Sequence, residues 1–183
     1  MEFLPTPLAG LTVVRRTRVE DSRGFLDRIY SVADFVALGV PKPVAQINHT
    51  LTRRVGAVRG MHFQWPPHAE TKLVSCVRGE VFDVAVDLRR HSPTFLQWHA
   101  EVLSSVNQRS LLIPEGFAHG FQALAADCEL VYVHTALYAA DAEGAVSVRD
   151  PTLKIAWPLP ISELSERDSG HPFLTQEFKG IDL

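Results

Sequence analysis

The stretch at 80–88 reads EVFDVAVDL, and its alternation decides the fold class. Over 82–86 every second residue is large and apolar, whereas the positions around them hold acidic or small residues: Asp83, Ala85 and Asp87. Because strand side chains alternate between the two faces of a sheet, this period of two predicts a strand with unlike faces. Similar runs separated by turn signals occur at 11–18, 24–30, 45–51, 56–63, 72–77, 98–103, 110–113, 118–124 and 129–138. About ten strands at this spacing predict an antiparallel sandwich or barrel.

Helical patterns are few and short. The run SVADFVAL at 31–38 predicts two helical turns, and SELSERD at 162–168 predicts another, with Ser162 and Ser165 as competing caps. The pair Arg78-Gly79 lies between two strand runs and predicts a tight hairpin. We therefore expect an all-β protein, a double-stranded β-helix of the jelly-roll type with a few short helices. Such a barrel encloses a cavity, so inward polar side chains become candidate site residues.

Length and composition exclude several classes of protein. The 183 residues correspond to about one domain at roughly 150 residues each, and we expect a single domain over 1–183. A hydrophobic content of 46% and a charged content of 21% are typical of globular chains and exclude disordered, collagen-like and coiled-coil proteins. The net charge of −3 gives no attraction to nucleic acid or to acidic lipid.

Compartment and partners follow from what the sequence contains. No window approaches the ~20 apolar residues that span a bilayer, and the N-terminus has no signal-peptide pattern. Cys76 and Cys128 lie inside apolar runs and are expected to be buried free thiols. We therefore expect a cytoplasmic protein with neither a membrane nor a nucleic-acid partner.

The densest polar cluster is RGMHFQ at 59–64, followed by Lys72. On an unbroken strand His62 would share a face with Val58 and Gly60, and Arg59 would point to the opposite face. Taken alone, His62 is more typical of a hydrogen-bonded, half-buried histidine than of a catalytic group, and Lys72 is typical of a solvated strand end.

A second cluster is IPEGFAHGF at 113–121, in which a turn delivers His119 onto the next strand. This P-x-G-x-x-H spacing is typical of cupins, whose metal-binding members complete the ligand set with an H-x-H pair and a glutamate. Here His62 is followed by Gln64, and the sequence has no H-x-H pair. We therefore predict a pocket without a metal ion and an activity without a cofactor.

Three more polar residues are candidates only in combination with the clusters above. Tyr132 and Tyr138 lie in LVYVHTALY, where Tyr132 and His134 fall on one face, and both tyrosines are also typical of a protein core. Asp168 follows LSER and carries no signal on its own.

Taken in order, these segments resemble one family, the dTDP-4-dehydrorhamnose 3,5-epimerases, a group of metal-free cupins. The resemblance runs from about residue 10 to 172. Its motifs are DSRG at 21–24, QIN at 46–48, RGMHFQ at 59–64, GEVFDVAVD at 79–87, SPTF at 92–95, IPEGFAHGF at 113–121 and IAWP at 155–158.

The resemblance implies a homodimeric jelly roll that inverts C3, C5 or both in a nucleotide-linked 4-keto-6-deoxyhexose, with dTDP as the expected nucleotide. It implies roles for four residues: His62 as the base, Asp168 as its buried partner, Lys72 as the cation near the enolate, and Tyr132 as the acid. It also implies substrate contacts from Arg23, Gln46, Asn48, Arg59, His119 and Glu143, and stacking of Tyr138 on the nucleotide base.

These residue types suit that chemistry. The C4 ketone of the substrate acidifies the neighbouring C–H bond, so epimerisation needs a base, an enolate stabiliser and an acid, but no redox cofactor. A neutral histidine is a suitable base near neutral pH, and a lysine places positive charge where negative charge develops. Two alternatives remain at this point, a metal-dependent cupin enzyme and a non-catalytic sugar-binding cupin.

Overall fold

Two antiparallel sheets pack face to face in the computed structural model, which describes residues 1–40 and 42–183. The strands are β1 (Glu2–Pro5), β2 (Thr12–Arg15), β3 (Arg18–Asp21), β4 (Gly24–Asp27), β5 (Gln46–Thr52), β6 (Val58–Gln64), β7 (Lys72–Arg78), β8 (Glu80–Asp87), β9 (Trp98–Ser104), β10 (Arg109–Ile113), β11 (Phe117–Ala123), β12 (Cys128–His134) and β13 (Glu143–Ala145). The helices are α1 (Val32–Ala37), α2 (Glu166–Ser169) and a 3-10 turn (Ala140–Ala142).

The order of strands is that of a jelly roll. One sheet runs β1-β2-β10-β7-β12-β5 and the other β13-β6-β11-β8-β9, while β3 and β4 form a separate hairpin. The inner core lies between the sheets, where Val74 and Leu111 of the first meet Val81 and Phe121 of the second. The expected all-β fold is confirmed.

The alternation in β8 places its two faces in different surroundings. Val84 and Val86 lie in a second core on the outer side of the five-stranded sheet, where Leu153 and Ile181 of the C-terminal segment cover them. Val81 points into the inner core instead, and Asp83 is fully buried on that same side. A strand with unlike faces is therefore present, and its acidic face looks inward.

The hairpin predicted at Arg78-Gly79 is wrong. Strand β7 lies in the six-stranded sheet and β8 in the five-stranded one, so this turn is a corner between the sheets. Gly79 has φ +78°, and a Cβ atom there would lie 2.8 Å from the Sγ atom of Cys128. A turn signal between two strand patterns does not reveal whether the strands pair with each other or with others.

The expected opposite orientation of Arg59 and His62 is also wrong, because β6 contains a bulge. His62 is opposite His119 on β11, whereas Arg59 is opposite Phe121, so three steps on β6 match two on β11. One extra residue reverses the alternation. Met61 turns into the outer core, and Arg59 and His62 face the same cavity.

Both predicted helices exist, with one shifted boundary. Ser31 caps α1 by accepting a hydrogen bond from the Asp34 N–H. Ser165, and not Ser162, caps α2, which begins later than expected and carries the buried Asp168 in its first turn. Cys76 and Cys128 are buried free thiols, as expected. Among the described residues, no helix has the length and apolar character needed to span a membrane.

Candidate active site

A cavity of about 440 Å³ lies between the two sheets of the barrel. It collects seven of the eleven predicted site residues: Asn48, Arg59, His62, Lys72, His119, Tyr132 and Asp168. These side chains come from five strands of the two sheets and from α2, so only the folded barrel brings them together. Sequence reasoning did not select the other lining residues, which are Thr50, Phe121, His134, Ser165 and Arg167.

His62 and Asp168 form a hydrogen-bonded dyad. The His62 Nε2 atom lies 2.9 Å from Asp168 Oδ1, and the Gly60 N–H donates to Oδ2 at 3.2 Å. Burial alone would raise the pKa of Asp168, but the hydrogen bond and the charge of His62 outweigh it and lower that pKa to about 2. A carboxylate can only accept, so His62 Nε2 carries the proton and Nδ1 is left as the basic nitrogen.

Lys72 is held by a buried acidic partner. Its Nζ atom lies 3.2 Å from Glu70 Oε1 and donates to the carbonyl of His62 at 3.3 Å. The other oxygen of Glu70 binds His134 Nδ1 at 2.8 Å. Burial raises the pKa of Glu70, but the hydrogen bond from His134 and the charge of Lys72 lower it overall. The Lys72 ammonium is thus fixed at the cavity wall.

Glu70 and His134 were missed, although a signal for them existed. His134 is two residues after Tyr132 and Glu70 is two residues before Lys72, so each shares a face with a selected residue if the strand pattern continues. No motif of the resemblance contains either residue, and only the structure shows that they pair.

Tyr132 stands among aromatic neighbours. Its ring meets His119 edge-on at 6.0 Å and stacks on His134 at 6.0 Å, both measured between ring centroids. Desolvation and the nearby Asp83 raise the pKa of Tyr132, so its phenol stays protonated at neutral pH. His119 is fixed by Asp83, whose Oδ1 atom lies 2.8 Å from His119 Nε2. The cavity therefore offers a neutral acid beside two oriented imidazoles.

Two arginine side chains, Arg59 and Arg167, line the cavity. Arg59 Nε donates to Thr52 Oγ1 at 2.9 Å, and its Nη2 donates to the Leu51 carbonyl at 3.2 Å. Arg167 Nη2 donates to Glu143 Oε1 at 2.5 Å. Two fixed guanidiniums are suited to an anionic group of the diphosphate kind.

Three further predicted residues lie outside the cavity lining but connect to it. The Gln46 side chain accepts from the Tyr138 N–H at 2.9 Å, and the Tyr138 hydroxyl donates to Glu143 Oε2 at 3.2 Å. Glu143 reaches the cavity through Arg167, and Gln46 through Asn48 at 3.5 Å. The Tyr138 ring is exposed, as a surface for stacking must be.

Arg23 is the one predicted residue that stays apart. It lies at the turn of the β3–β4 hairpin, where its side chain is 88% exposed and pairs with Asp21 at 2.6 Å. It does not line the cavity of its own chain.

The fold and the cavity together define a cupin-type jelly-roll enzyme for acid–base chemistry. An oriented histidine, a fixed ammonium and a neutral phenol line one cavity together with two guanidinium groups. Such a set moves protons at an acidic C–H bond.

Comparison with known proteins narrows this class. Residues 5–176 match the dTDP-4-dehydrorhamnose 3,5-epimerase family. The dTDP-4-dehydrorhamnose 3,5-epimerase of Salmonella typhimurium is 40% identical over 178 residues, which are 96% of this chain and 97% of that protein. The chain therefore belongs to the dTDP-4-dehydrorhamnose 3,5-epimerase family, and the expected assignment to the isomerases is confirmed.

Two solved structures have the same fold. The 3,5-epimerase of Legionella pneumophila, solved in complex with dTDP-4-keto-L-rhamnose, has a TM-score of 0.92 and 34% identity, covering 100% of this chain and 98% of that one. A 3'-monoepimerase of Streptomyces bikiniensis, in complex with dTDP-quinovose, has a TM-score of 0.85 and 32% identity, covering 93% of this chain and 86% of that one. Structural relatives thus include both double and single epimerases.

Proposed function

We propose that this protein inverts C3, C5 or both in a dTDP-linked 4-keto-6-deoxyhexose, as a step of deoxysugar biosynthesis. The observation that carries the proposal is the His62–Asp168 dyad, which faces the same cavity as Lys72 and Tyr132.

In the proposed reaction, His62 Nδ1 removes the proton from the carbon next to the C4 ketone. The C–H electron pair moves to the ketone and leaves negative charge on O4, which the Lys72 ammonium stabilises. Asp168 stabilises the imidazolium that forms and holds the ring in the required tautomer. Tyr132 then gives its phenolic proton to the opposite face of the carbon, and the ketone is restored with inverted configuration. No electrons are gained or lost, so the step needs no redox cofactor.

Binding of the substrate is assigned to the remaining predicted residues. Arg59 is proposed to grip the diphosphate, and the exposed ring of Tyr138 to stack on the nucleotide base. Contacts to the rest of the substrate are proposed for four side chains at the cavity or connected to it: Gln46, Asn48, His119 and Glu143.

We propose that the active form is a homodimer. The β3–β4 hairpin exposes Val19, Phe25 and Leu26 at 64%, 61% and 73%, and a second copy of the chain is the proposed cover for this apolar surface. Arg23 lies on the same hairpin, so its expected substrate contact would be made in the cavity of the second copy. Sedimentation velocity tests the dimer: wild type should sediment as a dimer and Leu26→Glu as a monomer, whereas a monomeric wild type would refute it.

We propose that residues 1–183 act as one domain, since both sheets share the inner core and the C-terminal segment covers the outer one. A cytoplasmic location is supported by the two free thiols, Cys76 and Cys128.

The function is tested by incubating purified protein with dTDP-4-keto-6-deoxyglucose in deuterated buffer and following C3 and C5 by NMR. Deuterium with inverted configuration at both carbons indicates a double epimerase, and deuterium with inverted configuration at one carbon indicates a single epimerase. Absence of label at both, with dTDP still bound, would refute catalysis and favour a sugar-binding cupin.

A further inference from the structure

His171 lies beside the dyad, and the proposed reaction does not use it. It follows α2, and its side chain is 11% exposed. Its Nε2 atom lies 3.2 Å from Asp168 Oδ1, yet that nitrogen makes no hydrogen bond to any described residue. The His62 and His171 rings meet edge-on with centroids 5.2 Å apart.

We propose that His62, Asp168 and His171 form a binding site for a divalent transition-metal ion such as Zn²⁺, and that the bound ion switches the enzyme off. Their ligating atoms lie within 4.8 Å of one another, and no other such group of three occurs among residues 1–40 and 42–183. Two imidazole nitrogens and one carboxylate are a donor set that zinc accepts, leaving a fourth position for water.

The distances suit an ion of this size. Zinc bonds of ~2.0–2.1 Å to nitrogen and oxygen separate the ligand atoms of a tetrahedral site by about 3.3 Å. The Asp168 Oδ1 atom lies 2.9 Å from His62 Nε2 and 3.2 Å from His171 Nε2. Both distances are within a few tenths of an ångström of that separation, and the two histidine nitrogens lie within 4.8 Å of each other. The His171 Nε2 atom, which lies near Asp168 without a well-aligned hydrogen bond to it, would gain a direct bond to the ion.

Inhibition follows from the proton on His62 and rests on the proposed function. A neutral imidazole carries one proton, and the dyad keeps it on Nε2 so that Nδ1 is free to act as the base. An ion on Nε2 needs that lone pair, so the proton moves to Nδ1 and the basic nitrogen is lost. The ion also replaces the hydrogen bond between His62 and Asp168. Metal binding and catalysis therefore exclude each other.

The donor set also predicts which ions bind. Imidazole nitrogens favour zinc, copper and nickel, whereas magnesium and calcium prefer sites built from oxygen. Zinc should therefore bind and inhibit, and magnesium at the same concentration should do neither.

The test is calorimetric titration of metal-stripped protein with zinc, without substrate. Wild type and the matched control His91→Ala, whose side chain is 86% exposed elsewhere on the surface, should each bind one zinc ion at this site. His171→Ala should bind ~100-fold or more weakly, because loss of a direct ligand should cost at least as much as loss of its supporting groups. Equal zinc affinity in wild type and His171→Ala, or no binding by wild type, would overturn the proposal.

Two further measurements separate binding from catalysis and from misfolding. Zinc should shift the imidazole NMR signals of His62 and His171 in wild type and leave those of His91 in place. Because this measurement uses wild type alone, unshifted His62 and His171 signals would contradict the site even if His171→Ala fails to fold. Each protein's epimerisation rate with zinc is then divided by its own rate without zinc. The ratio for wild type should be at least tenfold lower than the ratio for His171→Ala. Equal ratios would refute inhibition through this site. Because binding is measured without substrate, its result does not depend on the proposed activity.

Discussion

Replacing Asp168 by asparagine should nearly abolish proton abstraction while leaving the fold and nucleotide binding in place. Asp168 accepts from two donors at once, the His62 ring at 2.9 Å and the Gly60 N–H at 3.2 Å. An asparagine amide has one oxygen and one NH₂ group, so it accepts from only one of them. If its oxygen keeps the fixed Gly60 N–H, its NH₂ faces His62 and forces the imidazole proton onto Nδ1. That tautomer has no lone pair for the substrate.

The loss should amount to ~10²–10⁴-fold in the rate of deuterium incorporation, the usual contribution of a positioned base. NMR in deuterated buffer measures the rate, and calorimetry with dTDP should show binding within about threefold of wild type. Asp141→Asn, an exposed carboxylate on the 3-10 turn, is the matched control and should exchange at the wild-type rate. Exchange by Asp168→Asn within threefold of wild type would refute the tautomer argument and reduce Asp168 to a structural residue.

Three further predictions concern the acid, the absence of a cofactor and the stability of the barrel. Tyr132→Phe should still exchange the substrate proton through His62 but return a proton to the same face, giving deuterium with retained configuration. Tyr138→Phe should change turnover only modestly. Inverted product from Tyr132→Phe at the wild-type rate would exclude Tyr132 as the acid. Turnover should survive exhaustive treatment with EDTA, and activity lost to EDTA and restored by zinc or iron would contradict the cofactor-free mechanism. Asp87→Asn should lower the free energy of unfolding by ~2 kcal/mol, because buried Asp87 holds Arg89 by hydrogen bonds of 2.7 and 2.9 Å. Burial would raise the pKa of Asp87, but those bonds lower that pKa overall. The contribution of Asp87 to folding stability is therefore present above the unfolded pKa of ~3.9 and is lost as the pH falls through the folded pKa. Thermal melts from pH 7 to 2 should show a smaller loss of stability at acid pH in the variant than in wild type.

Sequence patterns predicted the fold class because strand alternation is a local property. The run at 80–88 did form a strand with unlike faces. Residues of three motifs, at 46–48, 59–64 and 113–121, do meet in one cavity. Pairing between strands is not local. The corner at Gly79 has the same turn chemistry as a hairpin, and only the competition between two sheets for partners decides which one forms.

The orientation of Arg59 shows a second limit. Counting by twos along 56–63 placed it opposite His62, but one extra residue in β6 turns both side chains into the cavity. The close approach of Gly60 to Gly120 fits this bulge, since a Cβ atom on Gly60 would lie 2.6 Å from Gly120 Cα. Two glycines on separate strands give no sign in the sequence that they will meet.

Glu70, His134 and His171 show a third limit, which concerns side chains that act only through others. Glu70 contacts Lys72, the His134 ring stacks on Tyr132 and His171 contacts Asp168. None of the three belongs to a motif of the family resemblance. Their pairing depends on distances between segments about 64 residues apart in the case of Glu70 and His134. Such contacts form only in the folded barrel, so the sequence pattern does not predict them.

The most direct test of the central claim is the rate of hydrogen exchange at C3 and C5 in His62→Ala. The protein and its variant are incubated with dTDP-4-keto-6-deoxyglucose in deuterated buffer, and dTDP binding is measured in parallel. The account predicts that wild type labels at least one of the two carbons, and that His62→Ala binds dTDP but labels ~10²–10⁴-fold more slowly. Labelling by His62→Ala at the wild-type rate would mean that another group removes the proton, and the mechanism proposed for this cavity would be wrong.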